Sequence, residues 1–363
     1  MRVGVVGGGQ LGRMLALAGH PLGITVTTLD PNPASPAAQV APAISGAYGD
    51  LDALAELVRA CDVATYEFEN VPVDAARFLA TRVPVHPDPT ALEAAQDRLA
   101  EKTLFTEVGL PVPPFAPVDD LGSLRAAIEG IGLPAVLKTR RLGYDGKGQF
   151  VLRDALRADD AWRAVGEQPS ILERFVAFRR ELSVVAARDA DGAIASYPLV
   201  GNEHRDGILR ISRAPADVGA GIRAAADAHA RAVLERLGYV GVLAIELFDV
   251  DGELFANEMA PRVHNSGHWT IEGASTSQFE QHLRAVCGFP LGEVSPRGAS
   301  AMVNLVGALP TTTDVLAVPG AHLHLYGKEP RPSRKVGHVT IVADDTAARE
   351  DALARLLPLI PEA

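Results

Sequence analysis

Glu246 and Glu258 close two apolar segments, Val242-Leu-Ala-Ile-Glu246 and Leu254-Phe-Ala-Asn-Glu258, on either side of the turn dipeptide Asp251-Gly252. Apolar segments joined by Asp-Gly predict a β-hairpin. Two carboxylates and the Asn257 amide on neighbouring strands form a hard-oxygen donor set that suits magnesium, which proteins usually share with substrate phosphates. The chemistry first suggested is therefore that of a nucleoside triphosphate. Register sets a condition on it. A two-residue turn would pair Glu246 with Asn257 and send Glu258 to the opposite sheet face. A shared metal needs Glu246 opposite Glu258, and hence an odd loop or a bulge at Gly252. Behind the second acid, Arg262, His264, Asn265 and His268 follow Pro261 in a polar run too dense for a solvated face.

Further residues fit a triphosphate. Ala135-Val-Leu-Lys138 ends a strand with a lysine that can reach phosphates as a point charge. Gly143-Tyr144-Asp145-Gly146-Lys147-Gly148-Gln149 follows, a flap whose backbone amides can close over phosphates. No GxxxxGK[ST] occurs, which excludes a P-loop protein. Ile171-Leu-Glu173-Arg174-Phe175-Val176 is an apolar strand that can offer backbone donors and acceptors to a base, and Glu181 is a candidate acceptor for ribose hydroxyls. At the amino terminus Gly7-Gly8-Gly9-Gln10-Leu11-Gly12 fits GxGxxG after a first strand, and Asp30 ends the second. A dinucleotide or a phosphate-bearing substrate at the helix amino terminus would each explain that loop, and no hydride-transfer constellation accompanies it.

The elements that must position these groups follow from periodicity. Strands are expected at Val3–Val6, Ile24–Leu29, Val63–Tyr66 and Val83–Val85, with helices at Leu11–Ala18, Leu51–Ala60 and Val73–Ala80 between them. That alternation predicts an open parallel α/β sheet. Thr90–Val108 reads as one longer helix, and the prolines 111, 113, 114 and 117 mark a boundary. A helix (Leu121–Ile131), strands at Ile171–Phe175 and Leu182–Ala187, and a long helix (Ala220–Leu237) lead into the hairpin. From about Phe289 short strands with many Pro and Gly predict a small β-rich lobe.

The bulk numbers agree with an enzyme of several domains. The chain has 363 residues and a net charge of −11, from 34 Lys and Arg against 45 Asp and Glu. That balance disfavours nucleic acid and requires local cation clusters for any anionic ligand. Cys61 and Cys287 are the only thiols, which supports neither a disulfide framework nor a cysteine metal site. The amino terminus is a strand entering a Gly loop rather than a signal peptide, and no apolar stretch reaches membrane-spanning length, so a reducing cytoplasm is expected.

The order Lys138, glycine loop, Glu173–Val176, Glu181, Glu246 and Asn257-Glu258 resembles the ATP-grasp ligases. Gly8-Gly-Gln-Leu-Gly-Arg-Met14, Tyr66-Glu-Phe-Glu-Asn70, Gly143-Tyr-Asp-Gly146, Asp206-Gly-Ile-Leu209, Pro261-Arg-Val-His-Asn-Ser-Gly-His268 and Arg334-Lys-Val-Gly-His338 narrow the likeness. They resemble the members that carboxylate the exocyclic amine of 5-aminoimidazole ribonucleotide in purine biosynthesis. The resemblance runs from residue 1 to about residue 360, although the family would extend a short tail past Ala363.

It implies an open α/β domain over 1–100, an ATP-grasp core over 101–288 and a β-rich lobe over 289–363. ATP would be held by Arg98, Lys138, Gly143–Gln149, Glu173–Val176, Glu181, His204 and Asn257-Glu258, with magnesium on Glu246 and Glu258. Arg262, His264, Asn265, Lys335 and Tyr144 would surround bicarbonate and the imidazole amine, and Asp145 would touch the aminoimidazole. Arg331, Arg334 and Lys335 supply charge for the ribose phosphate, while Gln10, Leu11 and Glu67 are placed by likeness to a neighbouring member. The family also implies a homodimer. The runner-up readings are another ATP-grasp carboxylase or formate-using ligase, and a dinucleotide-binding module.

Overall fold

The structure is a computed structural model and describes residues 1–143 and 148–361. Tyr144, Asp145, Gly146 and Lys147, expected to touch phosphates and substrate, lie outside the described residues.

Strands β1 (Arg2–Val6), β2 (Thr25–Asp30), β3 (Ala43–Ser45) and β4 (Val63–Tyr66) form a parallel sheet in the order β3-β2-β1-β4. Helix α1 (Gln10–Gly19) connects β1 to β2, α2 (Leu51–Ala60) connects β3 to β4, and α3 (Val73–Ala80) follows β4. Both faces are covered, so β1 and β4 are near-continuous apolar runs. The strand expected at Val83–Val85 is only a single bridge from Ala64 to Val85. Pro84 at its middle has no N–H to donate, which limits pairing.

The helix expected over Thr90–Val108 is two, α4 (Pro89–Gln96) and α5 (Arg98–Glu107). Asp97 between them is extended and its carboxylate caps the Leu99 amide. The same carboxylate takes a bidentate pair from Arg140, at 3.0 and 2.7 Å. The break thus fastens α5 to the chain just beyond Lys138.

Two antiparallel sheets follow. Strands β5 (Phe115–Val118), β6 (Ala135–Thr139), β7 (Gln149–Leu152) and β8 (Ser170–Arg174) make a small lobe in the order β5-β8-β6-β7. The second sheet comprises β9 (Arg180–Arg188), β10 (Ile194–Ser196), β11 (Val200–Arg205), β12 (Ile208–Ala214), β13 (Gly241–Val250), β14 (Glu253–Ala260), β15 (Ala299–Val306), β16 (Ala321–Leu325) and β17 (Lys335–Ala343). Its path is β14-β13-β9-β11-β12-β15-β17-β16, with β10 beside β9. The carboxy-terminal strands therefore continue the central sheet, joined through β12 and β15 from Ile211↔Val303 to Ala214↔Ser300. The buried helix Gln278–Val286 packs between this sheet and the amino-terminal domain, and His282 bonds both Thr65 and the Val242 amide.

Candidate active site

The hairpin β13–β14 meets the register condition by an unexpected route. Asp251 and Gly252 both have positive φ, 54° and 94°, the signature of a tight two-residue hairpin turn. Pairing runs regularly from Val250↔Glu253 to Leu247↔Ala256, and then shifts so that Glu246 faces Glu258. The bulge expected at Gly252 is thus at Asn257, where one extra residue in β14 re-aims the strand. Asn257 and Glu258 consequently both line the central cleft, with Glu246 opposite.

A bulge on an edge strand leaves polar backbone groups to satisfy, and α5 covers that edge. Arg98, Glu101 and Lys102 share one helix face by their spacing. Arg98 pairs with Glu258 at 2.9 Å, Glu101 accepts from the Met259 amide at 2.6 Å, and Lys102 Nζ donates to the Ala256 carbonyl at 2.9 Å. Lys102 also lies 3.3 Å from Glu173, whose Oε2 is 3.1 Å from Lys138 Nζ. Burial raises the pKa of Glu173, but Lys138 and Lys102 outweigh it and hold the carboxylate down at about 2. The Glu173 side chain is therefore an internal counter-ion, while Phe175 and Val176 after it line the cleft. Arg174 lines the cleft, but its guanidinium is taken up by the Ile131 carbonyl, to which it donates twice.

The two facing acids titrate apart. Burial, then the charge of Glu258, pushes Glu246 up to about 7. Burial opposes ionisation of Glu258 too, but Arg98 beside it brings the net shift downward. Among the described residues, no three His, Cys, Asp or Glu gather as a metal cage. Two carboxylates and an amide suit magnesium, which keeps waters and takes its remaining oxygens from phosphates.

On the far wall Arg262 is held by Glu69 and by the Val263 carbonyl. Gln278 accepts from the His264 amide and donates to its carbonyl, at 2.9 and 2.7 Å. A Cβ at Gly267 would come within 2.4 Å of the Gln278 Oε1, so this clamp requires glycine there. Burial and then Arg262 lower the His264 pKa strongly, so its ring is neutral, with Nε2 3.6 Å from Glu246. Asn265 and Asn304 exchange side-chain amide bonds. His268 is fully buried behind them, held at about 3 by burial and then by His324. Glu181 bonds His204 across β9 and β11, beside the cleft.

The glycine loop differs from a phosphate cradle. The Gly9 and Gly12 amides donate to Glu67 at 2.8 and 3.2 Å, and the Gly8 amide donates to Asp30 at 2.8 Å. A Cβ on Gly9 would sit 2.8 Å from the Glu67 carboxylate, so the glycine admits this internal anion. Amides that would hold a dinucleotide pyrophosphate are already used. Gln10, Leu11 and Glu67 still line the cleft, and Lys328 Nζ reaches Gln10 at 3.1 Å. Burial, then Arg334, lowers Lys328 to about 8.

The cleft, of about 1180 Å³, also takes its lining from Gly143, Gln149, Arg331, Arg334 and Lys335. It exceeds the roughly 300–1,000 Å³ typical of a single small ligand. Gly148 packs against Thr139, its carbonyl accepting from the Thr139 amide. Sequence reasoning missed Asp97, Glu101, Lys102, Lys328, Glu69, Gln278 and Asn304. The spacing of Arg98, Glu101 and Lys102 was a usable signal, as was Lys328 three residues before Arg331.

Three family models match in succession: a ribonucleotide synthetase preATP-grasp domain over 1–96, an ATP-grasp domain over 103–279, and a phosphoribosylaminoimidazole carboxylase C-terminal domain over 300–352. An N5-carboxyaminoimidazole ribonucleotide synthase of Pseudomonas aeruginosa is 52% identical over 360 residues, covering 99% of each chain. The N5-carboxyaminoimidazole ribonucleotide synthetase of Thermus thermophilus matches with a TM-score of 0.96 and 54% identity over 99% of both chains. A synthase of Aspergillus clavatus, crystallised with ADP and 5-aminoimidazole ribonucleotide, matches with a TM-score of 0.92 and 32% identity over 99% of this chain and 98% of that one.

The facing acids make stability depend on pH. A carboxyl whose folded pKa lies above its unfolded value gives stability below the unfolded value and loses it as pH rises through the folded one. Glu246 therefore opposes folding increasingly from about pH 5 to pH 8 in protein free of metal and nucleotide. Glu246→Gln should raise the melting temperature relative to the parent, by about 2–5 °C more at the upper end of that window than at the lower. Parallel melting curves across the window would show that the two acids do not oppose one another.

Proposed function

Because the chain belongs to the N5-carboxyaminoimidazole ribonucleotide synthase family, we propose that its cleft gathers ATP, bicarbonate and 5-aminoimidazole ribonucleotide around the facing carboxylates Glu246 and Glu258. The chain is an ATP-grasp ligase that uses ATP to carboxylate 5-aminoimidazole ribonucleotide in purine biosynthesis. The observation that carries the site reading is the bulged register that sets Glu246 opposite Glu258.

The chemistry explains the cations. Bicarbonate has a poor leaving group, so an amine does not displace hydroxide from it. Transfer of the γ-phosphoryl group from ATP to a bicarbonate oxygen forms carboxyphosphate and ADP. The amine then attacks the carbonyl carbon, the C–O bond to phosphate breaks, phosphate departs, and the amine loses one proton. Lys138 offsets charge on the nucleotide phosphates, and Arg262, freed from Glu69, can hold bicarbonate in bidentate fashion. Neutral His264 and the paired Asn265 line the wall against which the anion and the amine meet. Magnesium would be held by Glu246 and Glu258, with Asn257 alongside, and supplies positive charge for the phosphoryl oxygens. Glu181 and His204 bind the ribose of ATP, and the flap of residues 143–149 covers its phosphates. Arg331, Arg334, Lys335 and Lys328 take the ribose phosphate of the second substrate, beside Gln10, Leu11 and Glu67. Tyr144 and Asp145 contact bicarbonate and the aminoimidazole. Excluding water protects carboxyphosphate from hydrolysis.

The domains divide at 100/101 and 288/289, a division the three matched stretches support. The enzyme works as a cytoplasmic homodimer. Among the described residues no helix is long and apolar enough to cross a membrane.

ADP release measured with and without bicarbonate and 5-aminoimidazole ribonucleotide tests the activity, which should require both. Glu258→Gln should lower ADP formation by at least about 100-fold while leaving the protein folded. Undiminished turnover would remove Glu258 from the metal site.

Lys335→Ala should raise the KM for 5-aminoimidazole ribonucleotide roughly 30-fold, the scale of one lost charged contact, with the KM for ATP nearly constant. Equal losses for both substrates would move Lys335 into the nucleotide site. Light scattering at micromolar concentration should find a dimer, and a purely monomeric species would contradict the assembly.

A further inference from the structure

Lys102 is fully buried and touches neither the cleft nor solvent. A buried lysine is costly unless its charge is met and its protons are bonded. Its ammonium donates to the Ala256 carbonyl at 2.9 Å and lies 3.3 Å from Glu173 Oε2. The same oxygen is 3.1 Å from the Lys138 ammonium. One carboxylate thus serves two lysines, of which only Lys138 lines the cleft. Burial draws the Lys102 pKa downward, and Glu173 beside it opposes that loss.

A count of charges separates the two lysines. With Lys102 in place the trio carries two positive charges and one negative, so a net positive charge remains at the cleft end. Without Lys102, Glu173 and Lys138 form a neutral pair, and the lysine at the cleft has its charge cancelled from behind. We propose that Lys102 is a positioning residue for phosphoryl transfer: it neutralises Glu173 from within the core, so that the charge of Lys138 stays available to the nucleotide phosphates. This rests on the reading that Lys138 faces those phosphates. The bond to Ala256 gives Lys102 a second part, because it fixes the ammonium against the strand that bears Asn257 and Glu258 just beyond. The phosphate lysine of the small lobe and the acids of the large sheet are thereby registered to one buried amine.

The test compares dissociation constants of a non-hydrolysable ATP analogue and of adenosine, by calorimetry, in four variants of the full chain. Lys138→Met tests the underlying reading and should weaken the analogue with little effect on adenosine. If it leaves the analogue unchanged, Lys138 does not face phosphate, and both readings fall together. Lys102→Met should weaken the analogue on the order of 10–50-fold, the scale of one unit charge acting over several ångströms through protein, and leave adenosine within about twofold. Glu173→Gln combined with Lys102→Met restores the net positive charge, and should bring the analogue back to within about threefold of the parent. Glu173→Gln alone should bind the analogue no more weakly than the parent. A role confined to propping the fold predicts the reverse, with adenosine and analogue weakened alike and the double variant worse than the single. Either result overturns the proposal. Should Lys102→Met fail to fold, the double variant decides, because a buried ion pair replaced on both sides is tolerated far better than one broken on one side.

Discussion

Two negative groups held face to face govern this molecule. Glu246 and Glu258 sit opposite one another on β13 and β14, and the phosphates of the ATP that an ATP-grasp enzyme uses are anions as well. An acidic chain has no general positive field to offer, so each local charge must be supplied individually. Arg98 restrains Glu258, Lys138 and Lys102 restrain Glu173, and Arg262 waits against Glu69. Such a site is poised rather than relaxed. Its unfavourable proximity is a common cost of sites built for catalysis.

The same constraint explains the neighbouring architecture. A bulge at Asn257 brings the two acids together, but it also interrupts the ladder on an edge strand. The helix α5 repairs the interruption with side chains, one for the Ala256 carbonyl and one for the Met259 amide. Its anchor is Asp97, which ends α4, caps α5 and grips Arg140 beyond β6. Helix and large sheet share an apolar core that includes Leu104, Phe105, Leu247, Leu254 and Met259, and a few buried charges tie the small lobe to it.

Much of this was legible in the residues. The hairpin could be read because Asp251-Gly252 and the period of two are local signals, and the acids were found because their chemistry is explicit. The bulge was not legible at Asn257, since nothing in an asparagine announces a missing ladder partner. Its existence followed from function, its position from packing. Glu101 and Lys102 carry the commonest surface chemistry on a helix, and burial of that face depends on a strand about 150 residues away. Thr90–Val108 read as continuous because the cap at Asp97 draws its meaning from Arg140. The glycine loop showed a close backbone approach correctly, while the anion it admits, Glu67, comes from the protein itself.

The cleft is walled by residues from both extremes of the chain. Gln10 meets Lys328 and Gln39 meets Gly327, while β12 waits for β15 to complete its pairing. During synthesis the amino-terminal sheet can close early, since its four strands lie within the first 66 residues. Strand β17, which begins at Lys335, is the last strand of the sheet to be synthesised and must pair with β15, whose edge stands open until then. Such long-range closure is slow and exposes strand edges while it is pending. A nascent chain therefore carries the facing acids of β13 and β14 before it has the wall that Arg331, Arg334 and Lys335 contribute to the cleft. Vectorial folding separates in time two walls that the finished cleft must bring together.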